Sequence, residues 1–291
     1  MPGANAADLL TRDFALAEAA VREAGALAHA YFHSRARSWN KADSSPVSEA
    51  DHAVDRLLHD RLMAHRPSYG WLSEERPDDL VRLGRERVWI VDPIDGTRAF
   101  LRGRPHWVIS VALAYSGKPE FGILFNPIRG EFFAAIRGRG ATMNEAPISA
   151  SSRSRLEGCR MLATPRRLAP EHWHRPWPQM QVSRLSSFAY QVALVASDRA
   201  DATIAFNRIH QWDLAAADAI LTEAGGRMTT PDAGAIVYNA REPGYPGAVV
   251  AGPALHPRLI DFMAGNRQNE PLSGHGGGGG APAPANRERR P

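Results

Sequence analysis

Apolar residues recur along the first part of the chain at helical spacing. Leu10, Phe14, Ala17, Val21, Ala24, Ala28 and Tyr31 follow one another at three or four positions, which predicts an amphipathic helix over about 7–32. Val54, Leu57, Leu58 and Leu62 repeat the pattern. Ser48, with Asp51 three positions on, marks the start of this second helix, and Pro67 marks its stop. The pattern then changes to runs of strand type. Val88 to Val91 is a short apolar run, read as a buried strand that Pro93 and Gly96 break at once. Residues 108–115, 120–126 and 131–136 are three further runs, and the short turns between them predict an antiparallel meander. The charged, turn-rich stretch 76–87 reads as a surface loop.

Past about residue 155, strand-like runs (159–163, 202–206, 248–251) alternate with helical ones (187–198, 213–224, 254–263), as in an α/β arrangement. The polar run Ser149 to Ser154 suggests a soft boundary near 150, between a first half (1–150) and a second (151–265). Residues 266–291 are rich in Gly, Pro and Ala, with Gly276 to Gly280 consecutive. Such a segment has no apolar face to bury and is expected to be disordered.

Composition excludes several classes of function. With 291 residues, 44% of them hydrophobic, the chain can bury a sizeable core. Its one cysteine, Cys159, cannot build a disulfide scaffold or a thiolate zinc cage, and its apolar surroundings suggest inert core. No run of 18 apolar residues is present, so no membrane partner is expected, and residues 1–10 carry no secretory signal. A cytoplasmic location is the expectation. The net charge is +4, and residues 266–291 supply half of it through four Arg and two Glu. Charge on a tail is not a basic binding face, so nucleic acid is not the expected partner.

The chemistry concentrates in Trp89-Ile-Val-Asp92-Pro-Ile-Asp95-Gly96-Thr97. Two aspartates three apart, at the end of a buried strand, could bridge a pair of divalent cations, with the carbonyl of Ile94 as a further hard oxygen. Gly96 lets the backbone approach an anion, and Thr97 would open a helix whose free N–H groups suit a phosphate. Asp-Gly is also a common turn, so the pair alone carries little. Glu74-Glu75 and Asp213 are further candidates. The glutamates could equally sit in a solvated loop, and Asp213 after Trp212 could equally be a helix N-terminal acid favoured by the dipole. Four carboxylates (Glu74, Asp92, Asp95, Asp213) sharing one pocket would need cations to stay ionised. All-oxygen ligands select Mg²⁺ or Mn²⁺, and two such ions suit hydrolysis of a phosphate ester.

These motifs resemble the inositol monophosphatase family of Mg²⁺-dependent, lithium-sensitive phosphatases. The resemblance rests on Ser48-Glu-Ala-Asp51, Glu74-Glu75, the Asp92–Thr97 string with Phe100 after it, Trp212-Asp213-Leu-Ala-Ala and Glu223-Ala-Gly-Gly226, and it covers roughly residues 8–264. It implies a five-layered α/β/α/β/α sandwich of the sugar phosphatase type and a homodimer. Glu74, Asp92 and the Ile94 carbonyl would bind one Mg²⁺. Asp92, Asp95 and Asp213 would bind a second, and a third, weaker ion would sit near Glu74. Asp95, Gly96 and Thr97 would hold the phosphate. Asp51, Thr97 and Glu74 would activate the attacking water. Ala189, Phe206 and Asp213 would meet the substrate.

Two positions depart from the family pattern. Ser73 stands where a Gly usually precedes Glu-Glu, which is expected to alter only the freedom of that loop. Phe206 stands where inositol-hydrolysing members carry a sugar-binding Glu. A pocket floor of Phe188 and Phe206 would favour a ring-bearing phosphate, such as a 3′(2′),5′-bisphosphonucleotide or histidinol phosphate, over inositol phosphate. A different class of function, a non-catalytic phospholigand- or RNA-binding protein, is disfavoured by the intact carboxylate set. Among smaller features, His172 and His174 read as part of a Trp- and Pro-rich surface loop.

Overall fold

The computed structural model describes residues 2–34, 36–41 and 45–266, so the tail from residue 267 lies outside the described residues. Helix α1 (Pro2–Ser34) is followed by a hairpin of β1 (Ser38–Asn40) and β2 (Pro46–Ser48), then by helix α2 (Glu49–His65). Seven strands form the first sheet in chain order: β3 (Gly70–Ser73), β4 (Arg87–Asp95), β5 (Val108–Tyr115), β6 (Lys118–Asn126), β7 (Glu131–Ile136), β8 (Ala141–Met143) and β9 (Ala146–Ile148). Only β3 and β4 run parallel; the rest is the expected meander, extended by two short strands. The short helix α3 (Thr97–Leu101) leaves the end of β4.

The second sheet has the order β11-β10-β12-β16-β14 and mixes parallel with antiparallel pairs. Its strands are β10 (Arg160–Leu162), β11 (Gln181–Ser183), β12 (Ala202–Ala205), β14 (Arg227–Thr229) and β16 (Ala248–Ala251). A small pair, β13 (Ile209–His210) with β15 (Gly244–Tyr245), lies apart from it. The helices of this half are α4 (Phe188–Ala196), α5 (Gln211–Glu223) and α6 (His256–Met263).

Period-two alternation in the strands sorts the core into layers. In β4, Trp89 and Val91 pack on α1 and α2, whereas Val88 and Ile90 face α4 and α5. In β12, Ala202 and Ile204 face α6 and Ala205 faces back toward α4. The result is five layers: α1 and α2, the seven-stranded sheet, α4 and α5, the five-stranded sheet, and α6. Gly122 permits a close inter-layer approach, because a Cβ there would lie 2.3 Å from the carbonyl oxygen of Ala216 on α5. The largest core cluster draws on residues from both sides of position 150.

Three local expectations differ from what is found. Strand β4 does not stop at Pro93. It continues to Asp95 across a bulge, with Asp92 opposite Ser110 and Asp95 opposite Val108, so β4 carries one extra residue there. Proline is tolerated because a bulge leaves a residue out of the ladder. The 76–87 stretch is not wholly exposed. Arg82 is buried and bonds Asp78, the side chain of Asn239 and the carbonyl of Ala240. Asn266, placed in the tail by composition, is also buried and pairs with the backbone of Arg175 in both directions.

Candidate metal and phosphate site

The bulge in β4 decides the geometry. In an unbroken strand Asp92 and Asp95 would face opposite sides of the sheet. The extra residue puts Ile94 into the core under α1 and α2 and returns Asp95 to the same side as Asp92. There Asp95 Oδ2 accepts hydrogen bonds from Ser187 Oγ at 2.6 Å and from the Ala189 N–H at 2.7 Å, at the start of α4. Asp92 Oδ1 accepts the Ile94 N–H at 2.9 Å, while its Oδ2 is buried without a hydrogen-bond partner among the described residues.

Asp213 reaches the site from the N-terminus of α5. Its Oδ2 accepts the His210 N–H at 2.8 Å, so it is also the helix-capping acid that the sequence allowed. Glu74 follows β3, the parallel neighbour of β4. One carboxylate oxygen from each of Glu74, Asp92 and Asp213 lies within 4.8 Å of the others, close enough to share a cation. Lys41 also reaches this corner, with Nζ 2.9 Å from Glu74 Oε1 and 2.6 Å from Glu75 Oε1.

These carboxylates are held in an unfavourable state. Burial, reinforced by Glu74, Asp95 and Asp213, drives Asp92 well above the ordinary carboxylate range. Burial, with Asp95 and Glu74 beside it, does the same to Asp213. Burial lifts Asp95 to about 6 against the bonds from Ser187 and Ala189, and lifts Glu75 to about 7 against the pull of Lys41. An orphaned oxygen amid like charges is what a divalent cation would satisfy, so the residues fit a hard metal ion.

Asp51 is the third residue of α2 and is buried. Its Oδ2 accepts from the Ser48 N–H and hydroxyl, at 2.8 and 2.5 Å, and Thr97 Oγ1 lies 3.2 Å from both Asp51 Oδ1 and the Ile94 carbonyl. Burial raises Asp51 as well. Gly96 has φ +101°, and a Cβ there would crowd His106 O and Ser187 Cβ at 3.0 Å, so the backbone at this turn admits glycine alone.

A cleft of about 360 Å³ opens over the carboxylates, with Arg98, Arg184, Arg208, Phe188 and Gln191 among the residues that line it. Phe206 is not part of its wall. Alternation along β12 turns Phe206 to the α6 side with Ala202 and Ile204, where it packs on Trp173 with ring centroids 5.5 Å apart. Ala205, Asn207 and Arg208 line the cleft instead. Ala189 acts through its backbone N–H on Asp95. Sequence reasoning missed Lys41, Ser187 and Arg98. Lys41 was the most legible, as one of only two lysines in the chain.

The profile of the inositol monophosphatase family matches residues 10–264. The chain belongs to that family. It is 35% identical over 225 residues to a histidinol-phosphatase of Chlorobaculum parvum, covering 75% of this chain and 85% of that one. It is 36% identical over 192 residues to the Nus factor SuhB of Xylella fastidiosa, covering 62% and 67%. The solved inositol monophosphatase of Thermotoga maritima superposes with a TM-score of 0.74 at 25% identity, covering 88% of this chain and 97% of that one. The protein is therefore a phosphatase of a metal-dependent family, built on that family's five-layered fold. Among the described residues, no helix is long and apolar enough to cross a membrane.

Proposed function

We propose that the protein is a Mg²⁺-dependent phosphomonoesterase for a small phosphate ester. The observation that carries this reading is the buried, partnerless Asp92 Oδ2 facing Glu74 and Asp213. Glu74, Asp92 and the Ile94 carbonyl would hold one cation, and Asp92, Asp95 and Asp213 another; Mn²⁺ would substitute, and lithium would inhibit as in the family. When bound, the cations supply Lewis acidity at the phosphoryl group.

The chain's own groups do the rest. The N–H groups of Gly96 and Thr97 hold the phosphate at the floor of the cleft. Thr97 donates its hydroxyl proton to Asp51, which turns its lone pairs toward a water in the cleft. As the water oxygen bonds to phosphorus and the bond from phosphorus to the ester oxygen breaks, Asp51, whose burial raises its basicity, takes up by way of Thr97 Oγ1 the proton that this water releases, and the departing alcohol oxygen takes a proton from solvent in the cleft.

The arginines lining the cleft favour a substrate whose remainder is neutral and polar, or anionic, over one that is cationic. With Phe206 turned away, the expected preference for an aromatic ring rests on Phe188 alone. Phosphate release from inositol 1-phosphate, histidinol phosphate and a 3′,5′-bisphosphonucleotide, each with Mg²⁺ and with excess chelator, tests the reading. Mg²⁺-dependent turnover is expected, with the ammonium-bearing histidinol phosphate the poorest. Absence of turnover on every phosphate monoester would favour the non-catalytic alternative, and undiminished turnover in chelator would refute the metal role.

A further inference from the structure

We propose that Asp55 is a positioning residue for the metal site, acting on Glu74 through Ser73 and Arg76. Asp55 is one helical turn beyond Asp51, so both carboxylates project from the same face of α2. Asp55 is buried and uses both oxygens. Oδ1 accepts from Ser73 Oγ at 2.5 Å, and Oδ2 accepts from Arg76 Nε at 2.6 Å. These partners flank Glu74-Glu75 on either side, so one rigid carboxylate spans the turn that presents Glu74. Ser73 Oγ in turn accepts the Glu75 N–H at 3.3 Å, and the Glu74 N–H reaches the Val91 carbonyl of β4 at 3.3 Å. Ser73, expected only to alter loop freedom, is thus a hydrogen-bonding member of the turn. One face of α2 then serves both ends of the site: Asp51 meets Thr97, and Asp55 fixes the glutamate turn.

Residues that orient a metal ligand typically cost 10–100-fold in metal affinity when changed. In Asp55→Asn, one side-chain atom becomes an N–H donor that cannot accept from Arg76 or Ser73. The inference rests on the proposed metal site, so Mg²⁺ binding by the unaltered protein is measured first. If the unaltered protein fails to bind Mg²⁺ in calorimetric titration, the site reading fails, and this inference with it.

Given binding, Asp55→Asn is expected to weaken the Mg²⁺ dissociation constant by roughly 10-fold or more, and Ser73→Ala by less in the same direction. At saturating Mg²⁺, turnover of Asp55→Asn should return to within about 3-fold of the unaltered protein, since geometry, not chemistry, is lost. Asp13→Asn is the control. Asp13 is a buried carboxylate on α1 that accepts from Arg66 and Tyr69, at 2.5 and 2.7 Å, in a clasp of the same chemistry between α1 and the end of α2. It should lower the melting temperature and leave the Mg²⁺ constant unchanged. The inference is overturned if Asp55→Asn and Ser73→Ala behave like Asp13→Asn. Ser73→Ala keeps the Asp55–Arg76 ion pair and so decides the matter if Asp55→Asn fails to fold.

Discussion

Two kinds of buried aspartate coexist in this protein. Asp13 and Asp201 are surrounded by donors. Asp13 takes Arg66 and Tyr69, and Asp201 takes the Ser151 hydroxyl, the Arg160 N–H and the Arg160 guanidinium. Asp92 and Asp213 receive one backbone N–H each and face other carboxylates. The electrostatic outcome is opposite. Although burial resists it, the bonds from Arg160 pull Asp201 down to about 2, whereas burial among like charges pushes Asp92 and Asp213 far up. A buried carboxylate that serves the fold carries its counter-charge within the chain. One that would serve a divalent cation, on the reading proposed above, is left short of partners, and the fold tolerates the strain.

The largest effect expected from breaking this contrast is on turnover. Asp92→Asn should lower kcat by about 10³-fold or more, because Lewis-acid stabilisation of several kcal/mol is lost. Its melting temperature in chelator should stay level or rise, because a repelling charge is gone. A fall in stability with turnover intact would reverse the assignment.

On the other side of the contrast, Asp13→Ala should cost about 3 kcal/mol, the low end for breaking a buried pair, because Arg66 keeps some contact with water. Chemical denaturation would measure this, and kcat at 25 °C should not change. Loss of kcat without loss of stability would place Asp13 in the functional set.

Asp201 and the site carboxylate Asp95 should also titrate with opposite sign in metal-free protein. The folded pKa of Asp201 lies below its unfolded value, so its stabilisation is present above about pH 4 and is lost as pH falls toward 2. Asp95 stands at about 6 when folded, so the stability it confers is present below about pH 4 and is lost as pH rises through 6. Melting curves of the unaltered protein minus Asp201→Asn, and minus Asp95→Asn, should therefore slope in opposite directions. Parallel slopes would dissolve the distinction. The smallest effect is at the end of the described chain, where Asn266→Ala should cost about 1–2 kcal/mol through its lost bonds to Arg175 and leave metal binding untouched.

What the sequence revealed follows the same division. Apolar patterning located α1, the β5–β7 meander and the α4, α5 and α6 helices to within about five residues, because each buries either one apolar face or, as in α4 and β5, nearly its whole surface, between polar turns. The proposed metal ligands Asp92, Ile94 and Asp95 were legible because they lie in one short string. The bulge that brings the two aspartates to the same side was hidden, since Pro93 reads locally as a strand breaker. Phe206 was misplaced for a related reason: a family position says where the backbone passes, and strand alternation decides which layer receives the ring. Lys41, Ser187 and Asp55 act through contacts to segments 33, 92 and 18 residues away, and no local pattern announces such pairs.

On the proposed reading, Asp92 Oδ2 and the Glu74 and Asp213 carboxylates beside it are reserved for a divalent cation. The most direct test is the melting temperature of chelator-treated protein at pH 7 as Mg²⁺ is added, for the unaltered chain and for Asp92→Asn. A ligand that binds only the folded state stabilises it by about 2.7 kcal/mol at 100 times its dissociation constant. The unaltered protein should therefore gain several degrees with saturating behaviour, and Asp92→Asn should gain little or nothing. A flat response of the unaltered protein through millimolar Mg²⁺, or an equal rise in both proteins, would contradict the account.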